Sequence, residues 1–230
     1  MIGSVYLFGY GKFGSSIADS LLQQRIPLKV AVNKREDLYL ARANKIVVEY
    51  INIESDRSLI DLNIPPQSTI ICALDANHEN LFLALTLRDI YKSNYIVALS
   101  DSIHLNDKFK MAGVDRIIDI YAISANMIHS ILTKPIATKF LLGFINREHD
   151  YIFKEIFVTK DSTIHGKMLD EIDFDSFDII FIGMVDRERG DNFIFKSVGI
   201  EHKVDSNDIL ICIGKEKNLE KFIKDTRSLE

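Results

Sequence analysis

The segment FGYGKFG, residues 8–14, decides how the first half of the chain folds. Its glycines, Gly9, Gly11 and Gly14, have the spacing G-x-G-x-x-G, which lets a strand turn tightly into a helix. In such a turn the first amide N–H groups of the helix face a pyrophosphate. The segment therefore predicts a nucleotide-binding loop. A second interpretation stays open, because the same glycines also permit close packing of a strand against a helix without any ligand.

Short runs rich in valine and isoleucine recur up to about residue 120, with stretches of helical length between them. This alternation is typical of the α/β class and predicts a Rossmann-like, doubly wound parallel sheet with helices on both faces. The glycine loop then follows the first strand, where this fold binds dinucleotides. The six predicted strands are residues 4–8, 28–32, 45–51, 68–74, 95–100 and 115–121.

The second half of the chain has a different pattern. Residues 122–145 are helical in composition, but Pro135 interrupts them, so we expect two helices to meet near residue 134. The polar residues 143–151 form a predicted hinge, and beyond it short strands alternate with turn signals. We therefore predict three parts: a Rossmann-like lobe at 1–121, crossover helices with a hinge at 122–150, and a small α+β lobe at 151–230.

The composition argues against several classes of protein. A formal net charge of −5 and a pI near 5.7 disfavour binding to nucleic acid or to an anionic membrane, since both need a basic surface. Cys72 and Cys212 lie inside apolar runs, as buried thiols do in a reducing compartment. No stretch reaches the roughly 18 apolar residues that span a bilayer. We therefore expect a soluble, cytoplasmic chain.

Several motifs follow one another along the whole chain. GYGKFG at residues 9–14 is followed by AGVDRIIDIY at 112–121, and the helix pair around Pro135 comes next. STIHGKMLDEI at 162–172 and GIEHKVDSNDILICIG at 199–214 complete the order. This order resembles the regulator of K+ conductance (RCK) domain family, which includes the gating rings of potassium channels and the TrkA-like regulatory subunits of potassium transporters.

The resemblance implies a regulatory domain rather than an enzyme. Members of this family sense a ligand, pair into dimers through swapped crossover helices and assemble into rings of eight. The ring gates a potassium pore or transporter at the inner face of the cell membrane. The apolar faces of ANMIHSIL (125–132) and ATKFLLGFI (137–145) are consistent with such pairing. A ligand would act through its different affinities for the open and closed rings.

Residues around the glycine loop are candidates for binding an adenine nucleotide, either ATP, ADP or NAD(P). Lys12 and Phe13 lie within the loop, and the Lys12 ammonium could meet a phosphate. The acidic residue that usually binds a ribose about 20 residues later is missing. Asn33 ends the second predicted strand instead, and it is followed by Lys34 and Arg35. Asn33 can still hydrogen bond a ribose, and the two basic residues would favour a 2′-phosphate.

The resemblance adds candidates at other strand ends. Asn52 matches a family aspartate that lies against the adenosine of the ligand, and Tyr121 stands where nucleotide-gated relatives have a glutamate. Ala73 lies near the end of the fourth predicted strand. Together with Asn52 and Tyr121 it completes the candidate nucleotide contacts. Each acidic position of the family pattern is therefore altered in this chain.

Calcium is another ligand of the family. The carboxylates of the calcium-gated archaeal channel fall on Ala73, Leu99 and Asp101, so only Asp101 remains as a candidate metal ligand. Because Ca²⁺ takes six to eight oxygen ligands, we expect that this particular site is absent. A second cluster, DANHE at residues 75–79, offers oxygen and imidazole ligands, but its Asp and Asn also suit the start of a helix as caps.

Two alternatives to ligand-driven gating remain. An NADP-dependent reductase would use the glycine loop with Lys34 and Arg35, but residues after the predicted hinge include no evident proton donor for it. No H-E-x-x-H, G-x-S-x-G or zinc-spaced cysteine pair is present. The other alternative is an interaction module that assembles without any ligand.

Overall fold

The computed structural model describes residues 3–146, 148, 150–196 and 202–227. Backbone contacts separate two units, Met1–His129 and Ser130–Glu230. The predicted hinge at 143–151 includes residues 147 and 149, which lie outside the described residues. The finer division at residues 121 and 150 stays a prediction.

A parallel sheet of six strands forms the centre of the first unit. Its order is β3-β2-β1-β4-β5-β6, and every neighbouring pair is parallel. The predicted α/β class and doubly wound parallel sheet are confirmed. The strands are β1 (Val5–Phe8), β2 (Leu28–Val32), β3 (Val48–Tyr50), β4 (Thr69–Cys72), β5 (Tyr95–Ser100) and β6 (Arg116–Asp119).

Helices cover both faces of this sheet because successive strand residues point to opposite sides. On β1, Tyr6 and Phe8 join a core that contains Leu83 and Leu87. Leu7 joins a second core on the other face. The helices that follow the strands are α1 (Lys12–Gln23), α2 (Arg35–Ala43), α3 (Asp56–Ile60), α4 (Asn77–Ile90) and α5 (Asn106–Met111).

The boundary after β6 differs from the prediction. The strand was expected to reach residue 121, but it ends at Asp119, and α6 (Ile120–Thr133) begins directly after it. The Asp119 carboxylate accepts a hydrogen bond from the Ala122 amide (2.9 Å), so the side chain ends the strand and caps the helix. The break at Pro135 agrees with the prediction, since α7 (Pro135–Ile145) starts on that proline.

An antiparallel sheet and one helix form most of the second unit. The strand order is β7-β10-β8-β9, and α8 (Glu216–Thr226) packs its Leu219 and Phe222 into the core of this unit. Phe174 stacks on Phe181 and Phe222 with ring centroids 5.1 and 5.4 Å apart. The strands are β7 (Tyr151–Phe157), β8 (Ile179–Val185), β9 (Phe193–Phe195) and β10 (Ile209–Lys215). The expected small α+β lobe is therefore present.

The two cysteines are buried within the sheets, and burial raises the pKa of Cys72 and Cys212 to about 12. The reactive thiolate is then about 10³-fold rarer than in the unfolded chain.

We expect both thiols to resist Ellman's reagent at pH 8 in the folded chain and to react at once in guanidinium. The free energy of unfolding should also fall as pH rises from the unfolded pKa of 9.0 towards about 12, because only the unfolded thiols ionise there. Rapid reaction of one thiol without denaturant would contradict this.

Candidate functional site

The glycine loop lies at the point where the sheet reverses its order, between the adjacent strands β1 and β4. Gly9 has a φ of +106°, and a β-carbon there would lie 2.4 Å from the Ala73 carbonyl oxygen. A β-carbon on Gly14 would lie 2.2 Å from the Gly9 carbonyl oxygen. Packing within the unit therefore requires glycine at both positions, whether or not a ligand binds.

Gly11 has a different environment. It is the residue that precedes α1, and no side chain of the described residues caps that helix. A β-carbon on Gly11 would lie 2.1 Å from the Asp75 Oδ1 atom. Lys12 and Phe13, the next two residues, are exposed at the start of the helix. The uncapped amides at the start of α1 and the nearby Lys12 ammonium could therefore bind an anion. However, the Asp75 carboxylate already lies close to Gly11.

That carboxylate is held by an ion pair. Lys34, which follows β2, donates a hydrogen bond from Nζ to Asp75 Oδ2 at 2.9 Å, and this bond raises the pKa of Lys34. Partial burial and the charge of Asp75 also raise the pKa of the Asp37 carboxyl group. Lys34, a candidate ligand of a 2′-phosphate, therefore neutralises an acid of the chain itself in this structure.

Two buried oxygens beside the loop have no hydrogen-bond partner among the described residues. One is Oδ1 of Asn33, directly after β2, and the other is Oε2 of Glu79, in the first turn of α4. Asn33 occupies the position where this fold contacts a ribose. A ribose hydroxyl could donate to its free oxygen, so the residues around the loop fit the adenosine end of a nucleotide.

Asn52 and Tyr121 follow the two edge strands of the sheet, β3 and β6. Asn52 accepts a hydrogen bond from the Glu54 amide (3.0 Å), and Tyr121 is 66% exposed. With about 4.8 Å between neighbouring strands, β3 lies about 10 Å and β6 about 14 Å from β1. Asn52 thus follows a strand nearer to the glycine loop than the strand that Tyr121 follows.

The candidate calcium ligand lies elsewhere on the same edge. Asp101 follows β5, and its amide donates to Asn77 Oδ1 (3.1 Å), while the Asn77 amide group donates to the Asp101 carboxylate. Ala73 and Leu99 are buried apolar residues. Among the described residues, Asp101 belongs to no group of three or more metal-ligating side chains.

The capping roles expected for Asp75 and Asn77 are wrong. The residue before α4 is Ala76, and no described side chain caps the helix, because Asp75 turns to Lys34 and Asn77 to Asp101. Asn80, which the motifs did not single out, is buried and bridges two strand ends. Its side chain bonds the Leu74 amide (2.8 Å) and the carbonyls of Leu74 (2.9 Å) and Leu99 (3.3 Å).

Comparison with known proteins shows which family model and which proteins the chain resembles. The sequence pattern of the family described as TrkA-N domain matches residues 5–120. Over 220 residues the chain is 24% identical to probable potassium channel protein 2 of Methanocaldococcus jannaschii, covering 92% of this chain and 63% of that protein. Over 225 residues it is 24% identical to potassium channel protein 1 of the same organism, covering 96% and 66%. The chain thus spans less than two thirds of each relative.

Solved structures share the fold. The GsuK RCK domain aligns with a TM-score of 0.51 at 19% identity, covering 97% of this chain and 47% of that one. GsuK bound to ADP aligns with a TM-score of 0.50 at 23% identity, covering 57% of this chain and 34% of that one. At these identities the likeness establishes the fold alone. No helix in the described part of the chain is long and apolar enough to cross a membrane.

Proposed function

The chain belongs to the TrkA-N domain family, and from this premise we propose that it is a regulatory domain that gates a potassium channel or transporter. One observation carries the proposal: the similarity to two proteins named as potassium channels extends over 92% and 96% of this chain, through both of its units. On this proposal the chain acts in the cytoplasm, at the inner face of the membrane that holds its pore partner.

The proposed ligand is an adenine nucleotide at the glycine loop. Its support is the loop at the switch point of the sheet, the uncapped start of α1 and the unpartnered oxygen of Asn33. A fold neighbour with ADP bound points to the same ligand class. Gly11 gives the phosphates access to the backbone, Lys12 supplies a positive charge and Asn33 contacts the ribose. No bond is made or broken, because the ligand acts by shifting the populations of two ring states.

A thermal-shift series tests the ligand class. We expect ATP or ADP to raise the unfolding midpoint, since a ligand at 100 times its dissociation constant adds about 2.7 kcal/mol to the state that it binds. Millimolar Ca²⁺ should not raise it through Asp101, because Ala73 and Leu99 cannot ligate a cation. AMP, NADH, NADPH and Mg²⁺ complete the series. A Ca²⁺ shift that Asp101→Asn removes would overturn the calcium part, and no shift with any nucleotide would favour a ligand-free module.

The gating proposal needs a pore for its test. We suggest replacing the matched segment of M. jannaschii potassium channel protein 1 with this chain, and measuring Rb+ flux in liposomes. Nucleotide should change the flux of this chimaera, and Gly11→Val should remove the effect. If the chimaera binds the nucleotide but its flux does not change, the gating proposal is contradicted and the proposed binding site is not.

Self-association is proposed through the helix pair α6 and α7, whose apolar side chains are unusually exposed. Leu132 is 77% exposed and Ile136 is 86% exposed, and other apolar side chains of the two helices are exposed as well. We expect the chain to be a dimer or larger at micromolar concentration by light scattering. Ile136→Lys should dissociate it without lowering the helix content, whereas Met111→Lys, at another residue with 86% exposure, should leave the mass unchanged. A monomeric chain before any substitution would contradict the proposal.

A further inference from the structure

Three ionisable side chains meet inside the second unit. Asp186 follows β8, Asp208 precedes β10, and His202 lies between them in sequence. All three are buried, with exposures of 1%, 0% and 8% respectively. One ligand atom from each lies within 4.8 Å of the others. Buried charges of this kind are costly unless they are paired or coordinate a metal.

Both imidazole nitrogens of His202 face a carboxylate. Nε2 lies 3.0 Å from Asp208 Oδ2, and Nδ1 lies 3.4 Å from Asp186 Oδ2. A neutral imidazole has one N–H only, so one of the two contacts would set a nitrogen lone pair against a carboxylate oxygen. A cation between that nitrogen and that oxygen turns the repulsive contact into two favourable ones.

The distances identify which contact needs the cation. In a neutral imidazole the 3.0 Å contact suits an Nε2–H group that donates to Asp208, and Nδ1 then carries no proton towards Asp186. Asp186 Oδ2 accepts no hydrogen bond from the described residues, whereas its Oδ1 accepts from the amides of Glu188 (2.9 Å) and Arg189 (3.2 Å). The carboxylate is thus fixed through Oδ1, and in the described part of the chain Oδ2 faces the ring without a hydrogen bond, its contacts being the ionic ones to His202 and Arg189.

The separation of these two atoms also suits a metal ion. Metal–nitrogen and metal–oxygen bonds of about 2.0–2.1 Å at a tetrahedral angle place the two ligand atoms about 3.3 Å apart. The observed Nδ1 to Oδ2 distance is 3.4 Å. Imidazole with carboxylate is a ligand set that suits Zn²⁺ and its neighbours, and it disfavours Mg²⁺.

We propose that the second unit binds a divalent transition-metal ion of the Zn²⁺ type through His202 Nδ1 and Asp186 Oδ2, with water completing the coordination. Asp208 is a positioning residue that accepts the Nε2–H bond, fixes the tautomer and orients the ring. The ion joins the turn after β8 to the segment before β10, so it stabilises this unit.

Arg189 provides a specific test, because its Nε atom lies 3.3 Å from Asp186 Oδ2 while the side chain is 69% exposed. The guanidinium therefore competes with the metal for that oxygen. Arg189→Ala should tighten metal binding several-fold without disturbing the core. Arg187→Ala is the matched control, since the Arg187 side chain pairs with Asp191 instead.

The experiment uses the untagged, EDTA-treated chain. Co²⁺ and Zn²⁺ are titrated, with Co²⁺ absorption and isothermal calorimetry as readouts. We expect one ion per chain, a Zn²⁺-induced rise of the unfolding midpoint of about 5–10 °C at a 100-fold excess over the dissociation constant, and no effect of Mg²⁺. His202→Gln should abolish the binding, whereas His165→Gln, at an exposed histidine of the same unit, should preserve it.

The proposal fails if the unaltered chain does not bind one ion per chain. It also fails if Arg189→Ala leaves the affinity unchanged. If the His202→Gln variant does not fold, the metal affinity of Arg189→Ala still tests the proposal, since Arg189 is on the surface.

Discussion

Replacing Gly11 with valine is expected to abolish nucleotide binding, with a loss beyond about 10³-fold, or about 4 kcal/mol. The reason is steric: a β-carbon at this position lies 2.1 Å from Asp75 Oδ1 and 2.8 Å from its Cγ. The branched side chain must therefore push Asp75 away and fill the space above the start of α1. Phosphates that need the backbone amides there can no longer approach. Calorimetric titration with ADP measures the loss.

Lys12→Ala serves as the graded comparison. In the proposed complex Lys12 makes a charge-assisted hydrogen bond to a phosphate, so its removal should weaken binding by about 1.5–3 kcal/mol and leave a measurable affinity. The exposure of its side chain favours the lower end of that range. Equal losses from the two variants would show that the backbone of the loop does not hold the phosphates.

A second background separates folding from binding. In Asp75→Ala the carboxylate that Gly11→Val would strike is gone, so the valine variant should keep the thermal midpoint of its parent. Binding should still be lost, because the valine itself blocks the amides. Restored binding in the double variant would mean that the Asp75 clash alone caused the defect, and that the loop is not the phosphate site.

The sequence predicted the parallel sheet well because its signals are local. In the sequence, a buried strand is a short apolar run. Six such runs with a glycine loop after the first are compatible with few topologies other than a doubly wound parallel sheet. The end of β6 was missed for a local reason of another kind. Asp119 caps α6 through a side chain to backbone bond, and this contact replaces two residues of strand by helix.

The site was only partly predictable. Gly11, Lys34 and Asn33 could be assigned to one edge of the sheet, since parallel strands end on the same side. The pairing of Lys34 with Asp75 could not, because the two residues are 41 positions apart and meet only through the order of the strands. In the second unit, the meeting of Asp186 with His202 likewise depends on tertiary structure.

Replacing Asp75 with asparagine is expected to strengthen the binding of ADP by about 10-fold, the opposite of the usual result at a binding site. Bound phosphates would come close to a carboxylate that already lies against Gly11. At about 5 Å, each pair of like charges costs about 1–3 kcal/mol for a dielectric constant between 80 and 20. The side chain is 46% exposed, so solvent screening favours the lower value. Asparagine removes the charge, keeps the shape and frees Lys34 to meet a phosphate.

Three comparisons make this expectation specific to charge at the loop. Asp89→Asn makes the same change of net charge near the far end of α4, about 18 Å along the helix from its start, and should not alter affinity. Adenosine, which lacks phosphate, should bind both proteins equally, and the gain for ADP should shrink at high salt. The titrations omit Mg²⁺, because a cation bridging Asp75 to a phosphate would reverse the sign. Weaker ADP binding by Asp75→Asn without Mg²⁺ would show that Asp75 holds Lys34 in place for the ligand, and that the ion pair is part of the site rather than an obstacle to it.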